Sequence, residues 1–175
     1  MAKERILFTP EEIDKKVSEL ADEIAADYKG KELAILGVLK GCFFFLADLI
    51  RELRERGVAV TIDFVKMKTD EEAMGESSKK IIIFDTEFDI RGKDVLVVED
   101  ILDTGVTLNY LLNHLKEEGP GTVRVCVLLD KPFKRKVDLS PDYVGFEIPD
   151  KYVFGYGLDY QERLRELPYI AYFDE

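Results

Sequence analysis

The sequence predicts an α/β domain with a mostly parallel central sheet, flanking helices and a small hood. Apolar runs of strand length, several rich in β-branched residues, recur at residues 33–39, 94–98 and 123–129. That is the composition of strands buried on both faces. The first two runs are each followed by a short Gly-containing turn and a helix-period pattern. At 175 residues, 46% hydrophobic and 35% charged, the chain has enough apolar surface for one full core. We therefore expect residues 1–175 to form a single domain. The hood should come mainly from about 142–175, with room for an N-terminal contribution.

Taken in order, Thr9-Pro10-Glu11-Glu12 opens a helix with Thr at the cap, Pro at the first helical position and Glu three residues after the cap. Ile13, Val17, Leu20, Ile24 and Tyr28 keep helical spacing until Gly30. Residues 33–39 are a buried strand, Lys40-Gly41 a turn, and Phe45, Leu46, Leu49, Ile50 and Leu53 the inner face of a second helix. A strand at 58–66 leads into a polar interval, 67–78, of the length of a lid. A strand at 80–84 pairs back across it, and 85–92 reads as a solvated turn. The strand at 123–129 ends in Asp130-Lys131-Pro132, and Lys134-Arg135-Lys136 reads as a solvated basic loop with a steering contribution. Residues 169–172 close the chain as a short strand.

The chemistry concentrates where the strand beginning at Asp94 meets the helix carrying Leu108, Leu111, Leu112 and Leu115. Open α/β sheets put ligands at such strand-to-helix turns. Gly105 permits positive φ and close approach of backbone to a ligand. Thr104 and Thr107 add hydroxyls, and the helix start adds free N–H groups and positive dipole, so the turn can hold a phosphate without a lysine. Glu99 and Asp100, at the strand's exit, can accept from sugar hydroxyls or approach a magnesium ion. Asp103 stands between that acidic pair and the phosphate cradle, placed to exchange a proton with a bound group. A capping Asp and Thr with solvated acids is the plainer alternative. The adjacent acids and the buried strand before them favour a ligand site.

Val97-Val98-Glu99-Asp100-Ile101-Leu102-Asp103-Thr104-Gly105-Val106-Thr107-Leu108 resembles the phosphoribosyl-pyrophosphate (PRPP) motif of type I phosphoribosyltransferases. The resemblance implies that fold, with Glu99, Asp100, Asp103, Thr104, Gly105, Val106 and Thr107 on PRPP and its 5′-phosphate. Leu39-Lys40-Gly41 resembles the pyrophosphate loop of the purine-salvage branch, which implies a cis Leu39–Lys40 peptide and pyrophosphate contacts from Lys40 and Gly41. The interval 67–78 matches a mobile loop that usually carries a Ser-Tyr pair, where this chain has Thr69-Asp70. Residues 142–160 are similar, almost residue for residue, to the C-terminal hood of the hypoxanthine-guanine branch. That likeness implies a purine site of Ile101, Lys131, Tyr152, Val153 and Leu158. Lys131 would donate to the exocyclic oxygen, Tyr152 would stack on the ring, and the Val153 backbone would meet the Watson–Crick edge. Asp159, with Glu99 and Asp100, would bind Mg2+, and Arg165 would approach the pyrophosphate.

The implied activity is transfer of ribose 5-phosphate from PRPP to a 6-oxopurine, with Asp103 as the catalytic residue at N7, and relatives that form homodimers or homotetramers. The sequence does not rank hypoxanthine, guanine and xanthine. A non-catalytic PRPP-sensing regulator is the main rival, but it predicts loss of the base-handling residues, and Asp103, Lys131 and Tyr152 are present. A nucleoside triphosphatase would need Gly-x-x-x-x-Gly-Lys-Ser/Thr, which is missing. The net charge of −11 argues against nucleic-acid partners. No apolar run approaches a membrane span and no signal-peptide core opens the chain, so we expect a cytoplasmic protein with no membrane partner. Cys42 and Cys126 read as reduced packing residues, and His114, the one histidine, as a helix-surface residue.

Overall fold

The computed structural model describes residues 3–69, 80–84 and 89–174. In chain order the elements are β1 (Lys3–Phe8), α1 (Pro10–Tyr28), β2 (Glu32–Leu39), α2 (Phe43–Glu55), β3 (Ala59–Thr69), β4 (Lys80–Phe84), β5 (Asp94–Leu102), α3 (Val106–Glu117), β6 (Thr122–Asp130), β7 (Tyr143–Glu147), β8 (Val153–Phe154) and β9 (Ile170–Asp174). The capping box forms as the sequence predicts. The Thr9 side chain accepts from the Glu12 N–H, and the Glu12 carboxylate accepts from the Thr9 N–H at 2.8 Å.

Six strands form the main sheet in the order β4-β3-β2-β5-β6-β7. Every neighbouring pair from β3 to β7 is parallel, and β4 is antiparallel to β3 at the edge. From β2 the chain first turns outward to β3 and later crosses to β5 on the other side. The strand order therefore reverses between β2 and β5, and the carboxyl ends of these two strands open the crevice where such sheets bind ligands.

Alternation along the strands supplies both helical layers. Leu33, Ile35, Leu96 and Val98 face α1 and α2, joining Ile13, Leu20, Ile24, Phe45 and Leu49 in one core. Ala34, Leu36, Val38, Val95 and Val97 point the other way, onto Leu108, Leu111, Leu112 and Leu115 of α3. Burial on both faces explains why these strands read as continuous apolar runs.

A second, three-stranded sheet has the order β1-β9-β8, antiparallel throughout. It combines the two ends of the described chain and carries residues 153–154 over the crevice. The expected hood boundary near residue 142 needs correction. Residues 143–147 form β7 and extend the main sheet in register with β6, with Cys126 opposite Tyr143 and Leu129 opposite Phe146. Phe146 then stacks on Phe8 of β1 at 3.9 Å between ring centroids, joining the two sheets. Strand β3 also runs past Lys66 to Thr69, paired with β4 as far as Thr69–Lys80. The start of the expected lid is therefore strand backbone. Residues 70–78 of that lid, Asp70 included, and residues 85–88 of the expected turn lie outside the described residues. Among the described residues no helix is long and apolar enough to cross a membrane.

Candidate active site

At the β2–β5 reversal, the Lys40-Gly41 turn lies directly against the end of β5. A Cβ built on Gly41 would fall 1.6 Å from Asp100 Oδ2, so only glycine lets the two turns close on each other. The Leu39–Lys40 peptide is cis, as the resemblance implies. Gly157 meets the same turn from the hood side, with φ +99° and a would-be Cβ 2.1 Å from the Gly41 carbonyl oxygen. Burial under this contact pushes the Asp100 carboxyl up to about 6, although the Ile101 N–H donates to Asp100 Oδ1 at 2.9 Å.

Beyond Asp100 the strand continues through Leu102, so Glu99 and Asp100 lie inside β5 rather than after it. Helix α3 then begins at Val106, preceded by Gly105, which adopts φ +79° and gives no side-chain cap. The plainer reading of Asp103 and Thr104 as conventional caps is therefore not what the helix start shows. The contact from the Val106 N–H to Thr104 Oγ1 is long, at 3.5 Å. The turn itself is braced from outside. Arg135 donates to the main-chain carbonyls of Leu102 and Asp103 and to the Leu139 carbonyl, and it pairs with the buried Asp130. The Lys136 N–H donates to the Thr104 carbonyl at 2.9 Å.

The basic run read as a solvated loop is thus part of the site. Arg135 has only 13% of its side chain exposed, and Lys134 reaches Asp103 Oδ2 at 3.3 Å and Asp150 Oδ1 at 2.9 Å. The available sequence signal was Asp130, a carboxylate ending a buried apolar strand. A buried acid needs a partner, and Arg135 is five residues away.

Asp100, Ile101, Asp103, Lys131, Tyr152, Val153, Leu158 and Asp159 line one cavity of about 220 Å3. All five residues expected at the purine are among them. Lys131 is buried and donates to the Lys151 carbonyl at 2.7 Å, with Asp150 at 3.7 Å. Its main-chain N–H donates to the Leu102 carbonyl, tying the end of β6 to that of β5. Tyr152 is 63% exposed, leaving a ring face open to the cavity mouth, and its hydroxyl donates to the Asp159 carbonyl at 3.0 Å. Asp103 Oδ1 is enclosed and has no hydrogen-bond partner among the described residues.

The remaining wall carries paired charges. Arg165 lies 2.8 Å from Asp159 Oδ1 and donates to the Gly157 carbonyl at 2.8 Å. Lys40 reaches Glu162 at 2.7 Å, and Glu162 is also 3.5 Å from Arg165. Sequence reasoning passed over Glu162, since a Glu beside Gln161 and Arg163 has the composition of a solvated turn. The crevice thus holds a helix start without a side-chain cap, a base-sized cavity whose Asp103 Oδ1 has no partner among the described residues, and a pair of cations.

The phosphoribosyl transferase domain model matches residues 7–163. The chain is 41% identical to the hypoxanthine-guanine phosphoribosyltransferase of Bacillus subtilis over 168 residues, covering 96% of this chain and 92% of that protein. The crystal structure of a hypoxanthine-guanine phosphoribosyltransferase from Bacillus anthracis superposes with a TM-score of 0.90 at 43% identity, covering 98% of this chain and 99% of that one. The hypoxanthine phosphoribosyl transferase of Trypanosoma cruzi, studied for the role of its C-terminal region in oligomeric state and enzymatic activity, gives 0.92 at 42% identity, with 99% and 92% covered. With this geometry and these likenesses together, the chain belongs to the phosphoribosyltransferase family, and within it to the hypoxanthine-guanine phosphoribosyltransferases.

Proposed function

We propose that the protein moves ribose 5-phosphate from PRPP to N9 of hypoxanthine or guanine, releasing pyrophosphate and forming IMP or GMP. The observation that carries this reading is the cavity over β5. Its volume lies below the ~300–1,000 Å3 of drug-sized sites and suits a single heterocycle. Its floor carries the unpartnered Asp103 Oδ1, and its walls carry Lys131 and an open aromatic face.

In this reading Tyr152 covers the ring, with Ile101 and Leu158 as apolar walls. Lys131 donates to the exocyclic oxygen and the Val153 backbone meets the Watson–Crick edge. Asp103 meets N7 and handles its proton. Lys134 holds the other Asp103 oxygen, so the carboxylate presents Oδ1 inward. Residues 103–107 take the 5′-phosphate on the N–H groups of the α3 start, while Glu99 and Asp100 hold the ribose side. Gly41, Lys40 and Arg165 form the pyrophosphate end. Binding both substrates in register on the braced β5 turn supplies much of the acceleration, because this displacement depends on alignment.

Mg2+ fits the donor set in one manner. Among the described residues no three metal-ligating side chains converge, so no protein-only cage is present. Mg2+ commonly keeps water and takes one or two carboxylates with substrate oxygens. Asp159 on the hood wall, with Glu99 and Asp100 on β5, supplies such carboxylates. Bound there, the ion would offset the charge of the departing pyrophosphate. The acidic, cysteine-poor chain suits the cytoplasm, and a homodimer or homotetramer is the proposed assembly.

The test is product formation from PRPP and Mg2+ with hypoxanthine, guanine and xanthine supplied separately. Nucleotide should form with at least one of the first two. PRPP binding without product from any base would favour the regulator reading, which nothing in the crevice now supports.

A further inference from the structure

The two cations assigned to the pyrophosphate end already share an anion, and it comes from the chain itself. Lys40 Nζ lies 2.7 Å from Glu162 Oε2, across 122 residues of sequence, and the same oxygen is 3.5 Å from Arg165 Nη2. This contact is aimed by an unusual turn. Tyr160 and Arg163 exchange backbone hydrogen bonds, at 2.9 and 3.1 Å, around Gln161 and Glu162. Both corner residues adopt positive φ, +53° and +62°. Two-residue turns of that shape favour Asn and Gly, because a Cβ crowds the backbone there. Here the positions hold Gln and Glu, and the Glu162 N–H is fixed by Asp159 Oδ2 at 2.9 Å. A strained turn persists where its surroundings over-determine it. This one sets a carboxylate in front of Lys40 and Arg165.

We propose that Glu162 is a built-in competitor for the pyrophosphate end of the substrate. Its carboxylate occupies Lys40 and Arg165 in the empty site, yields to pyrophosphate or to the diphosphate of PRPP, and returns to those cations as pyrophosphate leaves. The inference rests on the functional reading above and adds a tuning residue to it. The two cations are kept in place and charge-balanced between turnovers, and the diphosphate is bound less tightly than Lys40 and Arg165 would hold it without Glu162.

The measurement is calorimetric binding of inorganic pyrophosphate with Mg2+, and separately of IMP, to the intact protein and to Glu162→Gln. Glu162 has 69% of its side chain exposed, so the variant should fold, and its thermal melt checks this. Pyrophosphate should bind the variant more tightly by about two- to fivefold, the range spanned by an exposed ion pair. IMP, which lacks the diphosphate, should bind both proteins alike. Pyrophosphate binding that is equal or weaker in the variant, with IMP bound normally, overturns the role of Glu162 and leaves the transferase reading intact. If neither ligand binds the unaltered protein, the transferase reading falls, and the role of Glu162 falls with it.

Discussion

The proposed phosphate side of the crevice and its proposed base side are built by different means. Residues 99–107 form one continuous stretch, from the end of β5 into the start of α3, and their backbone supplies most of the expected contacts. The base side is assembled from the end of β5, the end of β6, the segment around β8 and the 155–159 turn, brought together by a second sheet that includes the N-terminal strand. The phosphate side therefore depends on local conformation and its brace. The base side depends on how the hood docks, through contacts such as Gly157 on Gly41 and Phe8 on Phe146. Damage to the first should appear in turnover or in global stability, and damage to the second in base affinity.

The largest separation between the two sides is expected from Asp103→Asn. The amide keeps its size but cannot take a proton from the base, so turnover should fall by about 10²–10⁴. PRPP affinity, measured by calorimetry, should stay within a few-fold, because the 103–107 backbone is unchanged. Retained turnover would remove Asp103 from the proton step. Next in size is Arg135→Met, a lesion in the brace. It leaves Asp130 buried without its cation and removes the guanidinium bonds to the Leu102 and Asp103 carbonyls, a loss of about 3–5 kcal/mol in denaturant unfolding. Arg135→Lys keeps the charge but not the planar fork, and should recover only part of that loss. A neutral result for both would mean that the turn holds itself.

How much of this could be read from the sequence follows the same division. The strand-to-helix turn at Glu99–Thr107 was legible because its chemistry and its secondary-structure signals coincide within nine residues. That Ile101, Lys131, Tyr152, Val153 and Leu158 share one cavity was legible only by likeness to known proteins. No periodicity relates Ile101 to Lys131 or Tyr152, and the sheet order that gathers them is set by tertiary packing. Lys134 and Arg135 were misread because three consecutive basic residues have the composition of a solvated loop. What buries Arg135 is the acid at the end of β6, a contact that depends on the chain doubling back after Pro132. The assignment of 143–147 to the hood failed for a similar reason. A short strand at a sheet edge differs in sequence from a hood strand only through its partner, and the partner here is β6.

A smaller effect tests the junction of the two sides through pH. Asp100 ordinarily would titrate near 3.8, and burial against the Gly41 turn raises it to about 6. A carboxyl raised on folding binds its proton more tightly in the native state, so stability falls as pH rises through the interval from about 4 to 6, then levels off. In the metal-free protein this amounts to on the order of 3 kcal/mol at neutral pH. Asp100→Asn cannot ionise. With a chelator present it should be more stable than the unaltered protein at pH 7.5, and the difference should shrink towards pH 4. Stability curves that run parallel across that range would mean that the Asp100 carboxyl is not desolvated by the docked turn.

The smallest effects separate the two functions of Tyr152, and together they isolate the base side. Tyr152→Ala removes the ring, whose stacking on a base is worth about 1–3 kcal/mol, so the KM for the purine should rise by roughly 5- to 150-fold. The KM for PRPP should move little, because the Tyr152 hydroxyl bonds the Asp159 carbonyl and the 103–107 backbone is unchanged. Tyr152→Phe keeps the ring and loses one hydrogen bond to the Asp159 carbonyl, made at 3.0 Å on a side chain that is largely exposed. Water can replace that bond, so the change should be about twofold or less. If Tyr152→Phe were as damaging as Tyr152→Ala, the hydroxyl's hold on the Asp159 backbone would outweigh the stack. The hood would then act on the Asp159 wall, proposed to hold the metal, rather than on the base.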